Sequence, residues 1–299
     1  MKILITGATG FVGSNLVLEL MNKKYDVNIV VRNIAKAKKI LKGIKDNSII
    51  SLEDNKWKDK VKNLNPEIAI HLASHLTSND DSESIKKLLS ANLVFGTHIL
   101  DALASGDLKY FVNIGTFAEY CNDDGKLSSS YLYSATKTAY RAIIDYYYKK
   151  TKFKWINVIP YTIYGGKDSH QKVVDYIISS INSQKAIKMT KGEQVLDFIH
   201  INDVVNFFIL LIRNINKINN GYTEYYLGTG TGTSIRKVSE IVEKAFCKKT
   251  NITWGALPYR ENDIMKAIAP IEKNEKYFEW NCKIDINKGI QIYKESLQE

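Results

Sequence analysis

The stretch KILITGATGFVGSNLVLELMNKK, residues 2–24, limits what this chain can become more than any other. Its first five residues have the apolar, β-branched pattern of a buried strand. Gly7, Gly10 and Gly13 follow at three-residue spacing, and a helical repeat of apolar positions begins inside that spacing. A glycine turn between strand and helix lets the backbone approach a pyrophosphate, while the helix N-terminus offers unpaired N–H groups and the positive end of its dipole. Thr9, Phe11 and Val12 fill the turn around the glycines. A lone glycine triplet says little; one that ends the first strand and opens the first helix predicts a dinucleotide site.

The alternation continues. Apolar β-branched runs at 27–31, 48–50, 67–73, 109–115 and 154–160 are separated by helical patterns at 34–44, up to Asn65, at 83–105 and at 131–150. This order predicts an α/β protein, a Rossmann-type doubly wound parallel sheet that binds ligands at the carboxyl ends of its strands. Later residues are less regular, with helices expected in 173–183, 203–215 and 234–246 and a strand at 223–228. We expect a dinucleotide-binding domain over 1–165, rejoined by roughly 198–230, and a smaller C-terminal substrate-binding domain from 166–197 and 231–299.

Bulk properties narrow the partners. At 299 residues and 44% hydrophobic, the chain can bury a full core. Its longest apolar run, VVNFFILLI (204–212), is too short to cross a bilayer. The first residues enter a strand with no separate apolar stretch and cleavage site, and Cys121, Cys247 and Cys282 are widely spaced and odd in number. Both features predict a cytoplasmic protein with neither a disulfide framework nor a metal site. The net charge of +10 is scattered, without a run of five like charges or a recognisable nucleic-acid module. Neither nucleic acid nor a membrane is an expected partner. The densest basic patch, KAKKILKGIK (36–45), fits a solvated helix surface as well as a phosphate contact.

The end of the second strand selects the nucleotide. NAD calls for a carboxylate about twenty residues beyond the glycines, to accept bonds from the ribose hydroxyls. Here VVRNIAK places Arg32 at that point, with Asn33 and Lys36 beside it. A guanidinium cannot accept those bonds but can clamp a 2′-phosphate with its planar fork. The expected cofactor is NADP(H).

A second constellation lies in YLYSATK (131–137), where Tyr133 and Lys137 share one helix face. With 18 Tyr and 42 Lys+Arg in the chain, roughly two Tyr-x-x-x-Lys matches arise by chance. Two more do occur, Tyr146 with Lys150 and Tyr148 with Lys152. Spacing alone decides nothing.

Position decides. The chain resembles the extended short-chain dehydrogenase/reductase family of nucleotide-sugar epimerases, dehydratases and ketoreductases. The resemblance runs through TGATGFVG, IHLAS (70–74), ANLVFGT (91–97), NIGTFAEY (113–120), YSATK (133–137), IPYTIYG (159–165) and DFIHINDVV (197–205). It implies that Thr116, Tyr133 and Lys137 are catalytic. Thr116 would hold the reacting oxygen, and Lys137 would bind the nicotinamide ribose and lower the pKa of the Tyr133 phenol. Tyr146 and Tyr148, deeper in the helix, would be structural. Asp54, Leu72, Ala73, Ser74, Asn92, Ile114, Pro160 and Ile163 would join the cofactor contacts. Thr77, Phe117, Tyr161, Thr162, Lys172, Val173, Arg260 and Asp263 would join Thr116 and Tyr133 around a nucleotide-diphosphate sugar. The resemblance also implies a homodimer paired through the 83–105 and 131–150 helices, with Tyr140, Ile144, Tyr147 and Tyr148 as candidates for its face.

Within that family, 4,6-dehydratases carry Asp-Glu directly after the active-site threonine, whereas this chain has Phe117 and Ala118. The 3,5-epimerase-reductases use a cysteine where Ala118 stands, and UDP-galactose 4-epimerases keep an acid where Arg32 stands. Reduction of a ketone remains. GEQVLDFIHINDVV (192–205), YTEYYLGTGTG (222–232) and WGALPYRENDIM (254–265) are similar to the CDP-abequose and CDP-paratose synthase type of 4-ketoreductase. Such enzymes act on a nucleotide-linked 6-deoxy or 3,6-dideoxy hexose destined for surface polysaccharide. Ile159 and Leu196 stand where many relatives have arginine. A nucleotide-sugar epimerase, a reductase of a non-sugar carbonyl and a nucleotide-sensing regulator without turnover are the competing readings.

Overall fold

The computed structural model describes residues 1–121, 125–166, 171–219 and 221–297. The chain runs through β1 (Lys2–Thr6), α1 (Phe11–Asn22), β2 (Asp26–Val31), α2 (Ile34–Ile40), β3 (Ile49–Ser51), α3 (Trp57–Leu64) and β4 (Ile68–His71). It continues through α4 (Ser82–Leu89), α5 (Phe95–Leu103), β5 (Tyr110–Ile114), α6 (Leu132–Thr151) and β6 (Lys154–Pro160). Next come β7 (Thr162–Tyr164), α7 (Val173–Ser180), β8 (Ile187–Met189), β9 (Val195–His200), α8 (Ile201–Asn214) and β10 (Tyr222–Leu227). The last elements are β11 (Gly232–Ser234), α9 (Ile235–Phe246), β12 (Ile252–Trp254), β13 (Lys266–Ala267) and α10 (Ile286–Ser296).

Seven of these strands pair in the order β10-β6-β5-β4-β1-β2-β3, every pair parallel. A parallel sheet is buried on both faces, which is why its strands read as unbroken apolar runs. Ile3 and Ile5 pack on one side with Leu16 and Leu20 of α1 and Phe207 and Leu211 of α8. Leu4 packs on the other with Ile99 and Leu103 of α5 and Tyr140 and Ile144 of α6. Strand order reverses at β1 and β4, so the crevice for a ligand opens beyond their carboxyl ends.

A smaller sheet centres on β9, with β11 antiparallel and β7 and β13 parallel to it, and β8 pairs with β12. Its core joins Ile177, Phe198, Val238, Val242 and Ile290. Asp197, fully buried on β9, accepts bonds from Thr229, the Gly230 N–H at 2.8 Å and the Ala269 N–H at 3.2 Å. A buried carboxylate answered by several donors is a pin, and this one fixes two separate stretches, 229–230 and Ala269, to one strand. Among the described residues no helix is long and apolar enough to cross a membrane, and no three His, Cys, Asp or Glu side chains cluster to hold a metal ion.

Three sequence expectations change. The 83–105 helix is not continuous: a π-helical turn, Ser90–Val94, separates α4 from α5 and carries the buried Asn92. One extra residue in that turn aims a polar side chain inward that regular winding would not. Tyr140, Ile144 and Tyr147 are core residues that pack under the sheet, so they cannot form an exposed dimer face. Tyr146, expected to be structural, is 61% exposed, while Tyr148 packs partly against the same core.

Candidate active site

The glycine turn is closed so tightly that side chains have no room at two of its three glycines. Gly7 has φ +71°, and a Cβ there would stand 2.6 Å from the Ala73 nitrogen; one on Gly13 would collide with the Gly7 carbonyl. Gly10 is different, with only the Gly7 oxygen within 3.3 Å of such an atom. It caps α1 without any side-chain bond, so the first N–H groups of the helix face outward. Thr6 ties the turn to the neighbouring strand: its hydroxyl accepts the Ala73 N–H at 3.2 Å and pairs with His71 Nδ1 at 2.9 Å. Burial drives His71 down to about 3, so it is neutral. This cradle fits a pyrophosphate.

At the end of β2, Arg32 is exposed and makes no hydrogen bond or ion pair among the described residues. Asn33 caps α2 by accepting the Lys36 N–H at 2.8 Å, and the Lys36 side chain stays exposed. Asp54, expected at the cofactor, has both oxygens engaged locally, one by the Lys56 N–H at 2.8 Å and one by Lys60 at 2.6 Å. Leu72 and Ala73 form the backbone wall against Gly7. Pro160 ends β6 opposite Leu227, and Ile163 and Val12 pack on the core beneath the turn.

The expected catalytic residues gather at the end of β5. Thr116 is buried, and its Oγ1 accepts the Ala118 N–H at 3.3 Å, which leaves the hydroxyl hydrogen to donate elsewhere. Tyr133 lies in the first turn of α6, and Lys137 one turn further donates to the Ile114 carbonyl at 2.8 Å. Asn92 makes four bonds. It accepts from Ser74 at 3.1 Å and the His75 N–H at 2.7 Å, and donates to the His75 carbonyl at 3.1 Å and Thr136 at 2.9 Å. The π turn thus pins the loop after β4 to the helix that carries Tyr133.

Burial dominates the electrostatics of this pair. Burial lifts the Tyr133 phenol above the usual tyrosine range; Tyr131 and Glu119 add to the rise, and a hydrogen bond with Ser74 opposes it. Lys137 directs its ammonium to the Ile114 carbonyl and stands in the field of Glu119. Lys137 itself is pushed down to about 8, by burial first, with Glu119 resisting and Arg141 assisting. The phenol is therefore protonated before the reaction, and its raised pKa is a cost that proton transfer must meet.

Next to this pair opens a cleft of about 440 Å³, lined by Leu76, Phe117, Tyr131, Gln194, Leu196, Arg260 and Asp263 among others. Tyr131 stacks on Tyr133 with ring centres 5.8 Å apart. Arg260 is exposed and its guanidinium has no partner among the described residues; Asp263 instead accepts the Arg260 backbone N–H at 3.2 Å. Of the residues expected around the substrate, Phe117, Arg260 and Asp263 line the cleft; Thr116 and Tyr133 lie next to it, beside Phe117 and Tyr131, and Thr77, Tyr161, Thr162, Lys172 and Val173 do not line it. Thr77 accepts the Asn79 N–H at 3.1 Å, Tyr161 is buried behind Phe117, and Thr162 is paired with Phe198 in the small sheet. Val173 packs in the small core, and Lys172 sits over the Phe11 ring at 4.8 Å, beside the glycine turn. Sequence reasoning missed Tyr131, Gln194 and Glu119. Only Glu119 left a trace, as an acid three residues after Thr116 in an otherwise apolar strand-end motif.

Fold and geometry define a dinucleotide-binding α/β protein with a tyrosine–lysine pair at its strand ends. The chain belongs to the NAD dependent epimerase/dehydratase family, whose model matches residues 3–228. It is 28% identical to CDP-abequose synthase of Salmonella typhimurium over 97% of this chain and 96% of the relative. The CDP-abequose synthase of Yersinia pseudotuberculosis is 27% identical over 95% of this chain and 96% of its own length. The fold matches UDP-glucuronic acid 4-epimerase from Bacillus cereus, solved with UDP-glucuronic acid and NAD, at a TM-score of 0.84 with 18% identity. That match covers 100% of this chain and 99% of the other.

Proposed function

We propose that this protein is an NADPH-dependent reductase of the 4-keto group of a nucleotide-linked 6-deoxy or 3,6-dideoxy hexose. The observation that carries the reading is the bond from Lys137 to the Ile114 carbonyl, which ties the Tyr133 helix to the strand end bearing Thr116. Full-length similarity to CDP-abequose synthases supports the substrate class.

When bound, the cofactor supplies the hydride that the sugar carbon receives. The Gly7–Gly13 turn holds its pyrophosphate, and Arg32 meets its 2′-phosphate with a planar fork. Thr116, whose oxygen already accepts from Ala118, donates its hydrogen to the ketone oxygen. Tyr133 delivers the proton that turns that oxygen into a hydroxyl, and its place in the first turn of α6 lets the helix dipole favour the phenolate left behind. Arg260 meets the substrate diphosphate, helped by neutral donors such as Gln194 and Asn262 because Leu196 brings no second cation. The cleft's apolar side, Leu76, Phe117, Leu196 and Ile264, suits a sugar that has lost hydroxyls.

The test is a panel of CDP-, dTDP-, GDP- and UDP-linked 4-keto sugars, followed by NADPH absorbance with NMR of the product. One of them should be reduced, and Tyr133→Phe should slow that turnover by about 10²–10⁴-fold while NADPH still binds. Undiminished turnover in Tyr133→Phe would overturn the assigned proton donor. Reduction of non-sugar carbonyls alone would overturn the substrate class.

A further inference from the structure

Tyr133, Lys137 and Arg141 occupy successive turns of one face of α6, so phenol, ammonium and guanidinium stand in a row. Glu119 faces the last two. It is fully buried, accepts Nε of Arg141 at 2.9 Å and a second close bond from Nη2, and its Oε1 has no partner among the described residues. A methyl group placed on Gly115 would stand 3.3 Å from Glu119 and 3.5 Å from Arg141. The ion pair therefore lies against the same strand end that holds Lys137 and presents Thr116.

Charge counting separates this carboxylate from ordinary scaffolding. Arg141 already has a counter-ion in Glu224, 2.7 Å from Nη1, and Glu224 is held in turn by Tyr120, Tyr222, Tyr226 and Asn157. One cation and two carboxylates leave a net negative charge in a buried site, and the cation at hand to balance it is Lys137. We propose that Glu119 is a positioning residue whose carboxylate is the counter-charge keeping Lys137 an ammonium on the Ile114 carbonyl, without touching substrate or cofactor. The inference rests on Lys137 as a member of the catalytic pair.

The groups around Lys137 agree with this. His71, facing it from β4, is neutral, and so is Tyr133 on its own helix. Burial depresses Lys137, Arg141 depresses it further, and Glu119 is the charge that holds it up. Glu119 itself lies above the usual carboxylate range: burial raises it first and Glu224 adds to the rise, while Arg141 and Lys137 draw it back down.

The experiment follows the ¹³Cε resonance of Lys137 with pH in unliganded, lysine-labelled protein, the signal being assigned by its loss in Lys137→Met. The midpoint in the parent is expected at about 8. Glu119→Gln should move it to lower pH by about one unit or more, a tenfold or greater loss of the ammonium at fixed pH. The double variant Glu119→Leu/Arg141→Met removes a holding and an opposing charge together, so it should move the midpoint the same way by less. It leaves Glu224 with its tyrosine and asparagine donors, and apolar replacement of a buried pair is commonly tolerated. Midpoints unchanged in both variants, or in the double variant where the single one does not fold, overturn the proposal. A midpoint that moves while the pH profile of reduction stays in place supports the role of Glu119 and refutes that of Lys137 in catalysis.

Discussion

Arg141 and Arg260 carry the same group and do opposite things with it. Arg141 lies under the sheet's edge with two carboxylates and two tyrosine hydroxyls around its fork. Arg260 stands at the mouth of the cleft with its fork unanswered among the described residues. A buried guanidinium must be neutralised where it lies, so it builds the site. An exposed one costs little to leave unpaired and can wait for an anion that arrives with the substrate. The site is thus split between a charge-balanced floor and a rim with cationic capacity to spare.

Breaking that contrast should give effects in a definite order. The largest belongs to the floor. Arg141→Met alone leaves Glu119 and Glu224 buried without their cation and should destabilise the fold by about 3–5 kcal/mol in urea unfolding. Less than 1 kcal/mol would mean that the cluster is not the sealed network described above. Arg260→Gln should do the reverse, leaving unfolding within about 0.5 kcal/mol of the parent and lowering kcat/KM for the sugar nucleotide about tenfold to a hundredfold. A loss of stability without a loss of specificity would place Arg260 in the scaffold instead.

At the cofactor's edge, Arg32→Asp should move the ratio of kcat/KM for NADPH over NADH toward NADH by about tenfold or more, and an unaltered ratio would count against the 2′-phosphate clamp. The smallest effect is expected from Leu196→Arg, which adds a cation to the rim where Leu196 lines the cleft. It should tighten binding of the nucleotide diphosphate a few-fold at low salt and lose that gain as salt rises.

The floor and the rim also differed in how readable they were. Strand–turn–helix alternation, the glycine turn and the Tyr133–Lys137 spacing lie within short continuous stretches, where local periodicity and backbone demands are recorded residue by residue. The cleft is not local. It brings together residues near 76, 117, 131, 194 and 260, placed by strands as short as β11 and β13, which have too few residues to show any period. Lys172 misled for that reason, since nothing nearby in sequence says that it lies over Phe11. Glu119 is hard to read because its partner, Arg141, lies 22 residues away and only the fold brings the two together. Arg141 reads as one more cation on a lysine-rich helix until the fold turns it inward. Spacing shows that Tyr133 and Lys137 share a helix face but not how deeply the fold buries the phenol, and burial is what raises it.

The reduction itself is tested most directly by isotope transfer. NADPH carrying deuterium on the transferred face of nicotinamide C4 is incubated with a nucleotide-linked 4-keto sugar, and the product is examined by NMR. One deuterium at sugar C4 for each NADP⁺ formed is the predicted result. Exchange between two C4 epimers with no net NADP⁺, or a reduced sugar without deuterium at C4, would contradict it.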